Sequence, residues 1–127
     1  MADFNFELVS PERVLMSESI EHVVLPGSEG QLGVLAGHVP TIVKLQPGMI
    51  NIISGTSVVR KIYIRGGFAD INAQDVTVLA EHAVDIETAE SDAISAELAI
   101  AEKSLAEAQT DDERYIARLS VDTLQSL

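Results

Sequence analysis

The sequence has no cysteine, no tryptophan, few aromatic residues and few basic ones. The missing cysteine excludes a disulfide framework, a zinc ribbon and a thiol nucleophile. With aromatics at 4%, the core must be built from aliphatic side chains. Eight Lys and Arg against twenty Asp and Glu give a formal charge of −12. That balance excludes the clustered basic surface needed to bind nucleic-acid phosphates. No apolar run approaches the roughly 20 residues of a bilayer-spanning helix. The opening residues, with Asp3 and alternating polarity, do not read as a signal peptide. The expectation is a chain that reaches a membrane only through a partner.

The 127 residues, 46% of them hydrophobic, are enough to bury a core without cross-links. They divide into two unlike parts. All four prolines and all eight glycines lie before residue 85. Residues 1–84 carry five basic and nine acidic side chains, whereas residues 85–127 carry three and eleven.

The first part has the period of β structure. Phe4, Phe6 and Leu8 alternate with Asn5, Glu7 and Val9, as in a strand with one buried face. Ile50 and Ile52 repeat the pattern after the turn Pro47-Gly48. Residues 58–65 are rich in β-branched side chains and are bounded by Ser54-Gly55 and Gly66-Gly67. Val76, Val78 and Ala80 alternate after the turn-forming stretch 72–75. Short strands with turns every 8–12 residues predict an antiparallel β-sandwich over residues 1–86.

The second part, residues 87–127, reads as an antiparallel two-helix hairpin. Ile94, Leu98, Ala101, Leu105 and Ala108 recur in steps of four and three, a stripe along one face of a helix near 88–109. Thr110-Asp111-Asp112-Glu113 has the form of a capping box. It predicts a second helix near 112–125, with Ile116, Leu119 and Thr123 on its packed side. The seam is largely alanine, which buries little area, so the hairpin is expected to be the less stable half. Its acidic residues read as a solvated face.

No constellation in the chain calls for catalysis, a cofactor or a metal. Gly27, Gly30, Gly33 and Gly37 crowd into eleven residues, but no Gly-Lys-Ser/Thr follows them as in a phosphate-binding loop. They read instead as tight turns with φ positive, and rigid turns at a sandwich tip often carry binding residues. His22, His38 and His82 stand apart, without ligand spacing. His38 is expected to bond to backbone or to sit at an interface. A free-standing ligand-binding sandwich is the alternative function, but it lacks an exposed aromatic platform. A small hydrolase would need a nucleophile with a base, and none is visible.

The arrangement of motifs goes further. Residues 6–12 (FELVSPE), 26–40 (PGSEGQLGVLAGHVP), 45–50 (LQPGMI), 63–68 (YIRGGF) and 76–80 (VTVLA) together resemble the epsilon-subunit family of F-type ATP synthases. The likeness covers nearly the whole chain and is strongest over residues 6–82. It implies a non-catalytic rotor subunit of the central stalk. Its sandwich would bind the gamma subunit and rest on the c-ring, coupling proton flow to ATP synthesis. The ring-facing residues would be Ser28, Glu29, Gln31 and His38. It also implies a peripheral place on the cytoplasmic face of a bacterial plasma membrane. The C-terminal helices would be able to reach the catalytic alpha and beta subunits and regulate hydrolysis.

Two departures weaken that regulation. Some family members bind ATP through Ile/Leu-Asp-x-x-Arg-Ala at the start of the first helix. Here Ile86-Glu87-Thr88-Ala89-Glu90-Ser91 stands in that place, with Glu90 at the arginine position. Glu87 and Glu90 therefore mark a degenerate site from which phosphate is repelled. The second helix of inhibitory members is basic. Here Arg114 and Arg118 face Asp111, Asp112, Glu113 and Asp122.

Overall fold

The computed structural model describes residues 3–86 and 91–126. The Glu87 and Glu90 expectation lies outside the described residues. Ten strands come first: β1 (Phe4–Val9), β2 (Val14–Ile20), β3 (His22–Gly27), β4 (Gly30–Leu35), β5 (Thr41–Leu45), β6 (Gly48–Ser54), β7 (Ser57–Ile64), β8 (Gly67–Ile71), β9 (Asp75–Ala80) and β10 (Ala83–Asp85). Two helices follow, α1 (Ser91–Glu107) and α2 (Asp111–Gln125).

The strands hydrogen-bond in the order β10-β7-β6-β3-β5-β8-β9-β1-β2, with β4 added on β3. The sheet curls into a sandwich because β3 changes neighbours along its length. Val24 pairs with Asn51 of β6, whereas Gly27, at the end of the strand, pairs with Leu45 of β5. Pairing is antiparallel except between β1 and β9, which run parallel. That one pair departs from the all-antiparallel expectation. It arises because the first and ninth strands enter the same layer from the same end.

The alternation in the sequence becomes the inside and outside of the sheet. Phe4, Phe6 and Leu8 are buried, as are Val76, Val78 and Ala80. They meet Val23, Leu25, Ile50, Ile64 and Ile71 in one aliphatic core. Arg60 on β7 closes the curl. Its guanidinium donates to Glu18 on β2 at 2.9 Å and to Asp85 on β10 at 3.0 Å, so it ties together the two ends of the strand order. Burial disfavours the Arg60 charge, but Asp85 and then Glu18 outweigh it and raise the pKa above the usual arginine value.

Helix α2 starts at the predicted cap. Thr110 is extended, and its hydroxyl accepts from the Glu113 N–H at 3.1 Å. The Glu113 carboxylate reaches back one residue further, accepting from the Gln109 N–H at 3.2 Å. The α1 stripe falls as expected, with Ala101 buried and Ile94, Leu98, Leu105 and Ala108 half-buried. Of the predicted α2 stripe, Leu119 and Thr123 are half-buried, but the centre of the packed face is turned from it. Ala117, Ser120, Val121 and Leu124 are its buried residues, and Ile116 is exposed. The cause is that α2 packs against both α1 and the sheet, so its buried face lies between two neighbours rather than toward one.

Candidate functional site

The predicted contact residues sort into two places. Ser28 and Glu29 are the turn of the β3–β4 hairpin, closed by Gly27 opposite Gly30. Two glycines make that turn. Gly30 has φ +132°, and a Cβ on Gly27 would stand 2.6 Å from the Gly30 carbonyl oxygen. The tip does not stand free of the sandwich. The Ser28 N–H donates to the Lys44 carbonyl and the Gln46 N–H to the Pro26 carbonyl, both at 2.9 Å. Ser28, Glu29 and Gln31 are exposed on this braced tip. A groove of about 480 Å³ separates it from β5, with Ile42 and Lys44 on the facing wall.

His38 is elsewhere. It follows β4 at the end away from the tip, and six residues at about 3.3 Å each separate those ends. The Gly37 N–H donates to the Ala73 carbonyl at 2.8 Å, pinning the loop to the β8–β9 turn. The His38 Nδ1–H donates to the Val39 carbonyl at 2.7 Å. The structure thus groups Ser28, Glu29 and Gln31 and separates His38 from them. Of the four clustered glycines, Gly30 and Gly37 have positive φ. Gly33 serves close approach instead, lying beneath the His22 ring.

A surface that the sequence reading missed crosses the outer face of the sheet. Register places Lys44 beside Phe68, Phe68 beside Leu79, Leu79 beside Val9, and Val9 beside Val14. Phe68, Leu79 and Val14 are about half exposed, at 52%, 47% and 55%. Single exposed apolar residues are ordinary, but a contiguous row is a candidate contact surface. The signal was present in the sequence as Phe68, Leu79 and Val9 on the polar phase of their strands. Only the register shows that they are neighbours.

The third feature lies between sheet and hairpin. A cleft of about 600 Å³ is lined by Tyr63 and Arg65 from the sheet side and by residues such as Glu97, Ser104 and Ile116 from the helices. Arg65 is the cation among its described lining residues, against Glu81, Glu97, Glu107, Asp112 and Glu113. Glu97 is only 4% exposed. This corrects the expectation that the helix carboxylates are all a solvated face. Arg65 grips both its oxygens, and the His82 Nε2 lies 3.2 Å from Oε2. The hydrogen bonds to Glu97 are the main cause holding the Arg65 pKa above its usual value, with desolvation opposing. Beside them Tyr63 is fully buried, and its hydroxyl lies toward Ser120 without reaching hydrogen-bond geometry with any described group. Burial is the main cause pushing its phenol above the ordinary value. The Glu97 charge adds to the shift, and Ser120 and Arg65 oppose it. Among the described residues no cluster of side chains could hold a metal ion. No helix among them is long and apolar enough to cross a membrane.

Comparison with known proteins places the chain in a family. The family pattern described as "ATP synthase, Delta/Epsilon chain, beta-sandwich domain" matches residues 3–86. An ATP synthase epsilon chain of Parvibaculum lavamentivorans is 42% identical over 123 residues, covering 97% of this chain and 93% of the relative. One from Rhizobium etli is 44% identical over 109 residues, covering 85% and 81%. The fold is that of a chain in the Euglena gracilis mitochondrial ATP synthase (OSCP/F1/c-ring), at TM-score 0.70 and 23% identity, covering 98% of this chain and 79% of that one. It is also that of a chain in the central stalk and c-ring of the Tetrahymena thermophila mitochondrial ATP synthase, at 0.67 and 13%, covering 98% and 96%. Sequence likeness of this degree along nearly the whole length, on the same fold, settles membership: the chain belongs to the ATP synthase delta/epsilon family.

Proposed function

We propose that this protein is the non-catalytic epsilon subunit of an F-type ATP synthase, turning with the central stalk and linking the gamma subunit to the c-ring. The observation that carries the reading is the likeness to epsilon chains along 97% of the sequence. The geometry offers a surface for each partner. The braced β3–β4 tip, with Ser28, Glu29 and Gln31 exposed, suits polar contact with the ring. The row Phe68, Leu79, Val9 and Val14 suits the gamma subunit, because an apolar stripe on a stiff sheet can carry torque without yielding. His38 lies at the far end of β4, so a ring contact through it would be separate from that of the tip. The division into a sandwich at 1–86 and a hairpin at 87–127 then separates coupling from regulation. The complex sits on the cytoplasmic face of a bacterial plasma membrane, and this chain is peripheral to it.

Regulation by ATP is weak or absent in this reading. The cleft between sheet and hairpin is lined by five carboxylates, and its arginine is committed to Glu97. A nucleotide triphosphate entering it would meet repulsion. The test of the stalk assignment is co-purification with the gamma subunit. The expected result is a stable one-to-one complex that Phe68→Asp weakens. A chain indifferent to gamma would overturn the assignment.

A further inference from the structure

The apolar contact between hairpin and sandwich centres on four buried residues, Tyr63, Ala101, Val121 and Leu124, with Met49, Val84, Ile86, Leu98 and Leu105 partly buried against them. A carboxylate stands within this interface. Glu97 of α1 is as buried as the core residues around it, and unpaired it would oppose docking strongly. Its partners come from the sheet side. The Arg65 Nε and Nη2 donate to its two oxygens, the second at 3.2 Å, and His82 adds a contact to Oε2. Those partners are fixed to each other, because the Arg65 N–H donates to the His82 carbonyl at 3.1 Å. The donor side is therefore preformed, and the anion arrives on the helix.

We propose that Glu97, Arg65 and His82 form an electrostatic latch that holds the helical hairpin against the sandwich and makes its release an all-or-none step. A small displacement of α1 leaves a buried carboxylate without its partners, the least favourable arrangement. Full release returns all three groups to water. The partly open positions are thus disfavoured relative to both ends, which is the condition for two discrete states. The use of such a latch rests on the stalk reading, since a hairpin held down keeps α2 away from the catalytic subunits. The latch itself is a property of the free chain.

The test uses that free chain at full length. No native cysteine competes for labelling, so paired spin labels go on the exposed positions Thr77 and Glu102. The unsubstituted latch should give one narrow distance distribution. Glu97→Gln and Arg65→Met should each raise a second, longer population about tenfold or more, and Arg65→Lys should raise it less. A cooperative thermal transition in each variant confirms that the sandwich is intact. A Glu97→Gln distribution unchanged from the parent overturns the latch, and so does a continuous broadening without a second population. Neither result depends on gamma binding, so failure of the latch and failure of the stalk assignment are read separately.

Discussion

A Cβ on Gly67 would stand 2.0 Å from the carbonyl oxygen of Leu79 on the neighbouring strand. No side chain can occupy that space, and Gly67 also has φ +147°. The contact brings β8 against β9 directly after the Gly66-Gly67 corner, and so sets where Arg65 leaves β7 and where Phe68 enters the outer row. Gly67→Ala is expected to cost about 3 kcal/mol or more, from strain together with a backbone clash. Gly55 also has positive φ, but nothing lies within 4 Å of its added Cβ. Gly55→Ala is expected to cost only about 1 kcal/mol. Urea unfolding followed by circular dichroism separates the two. Equal losses would show that backbone conformation alone governs both sites.

The Arg60 bridge should contribute modestly to closing the sheet. Its side chain is 33% exposed and that of Glu18 is 51% exposed, so solvent screens the pair. Arg60→Met is expected to cost about 1 kcal/mol. The loss should shrink in concentrated salt, since exposed charge pairs are screened. It should also appear first as faster amide exchange in β2 and β10, the two strands that Arg60 joins. Exchange spread evenly over the sheet would contradict a closing role.

Tyr63 gives a pH dependence of definite sign. Its folded pKa lies above the ordinary value of 10.0, so the native state favours the neutral phenol. The associated stability is fully present below about pH 10 and is lost as pH rises from there through the raised folded value. Tyr63→Phe should remove this alkaline loss. Near pH 7 it should change stability by less than about 1 kcal/mol, because the hydroxyl has no hydrogen-bond partner to forfeit. Urea midpoints of the two proteins between pH 8 and 11 check the difference. Parallel curves would show that the phenol does not titrate with the fold.

ATP should not bind the free chain. The described lining of the hairpin cleft brings one arginine, already gripping Glu97, against five carboxylates. Calorimetric titration is expected to give no saturable heat at millimolar nucleotide. Saturable binding below that range would show that the departures at Glu87 and Glu90 do not abolish the site.

Much of the fold was legible because alternation has a direct physical meaning. Phe4, Phe6 and Leu8 could only face one way, and the structure buries all three. The cap at Thr110 was equally local, since its bonds span three or four residues. What failed to show needed partners distant in sequence. Glu97 looks like any solvated helix carboxylate until Arg65 and His82 are placed beneath it. The outer row exists only through the register of five strands, and the parallel β1–β9 pair joins residues about 70 apart. The separation of His38 from Ser28 follows from β4 running between them, whereas the resemblance put both among the ring-facing residues. The α2 face was misplaced because a helix with two neighbours does not bury the stripe that its most apolar residues suggest.

The most direct measurement is site-directed cross-linking of the tip in the assembled enzyme. Glu29→Cys carrying a short photoreactive group should form an adduct with a c subunit. The linked enzyme should still synthesise ATP, because two parts that turn together lose nothing by being joined. An adduct with alpha or beta, or a ring adduct that stops synthesis, would contradict the assignment of this chain to the rotor.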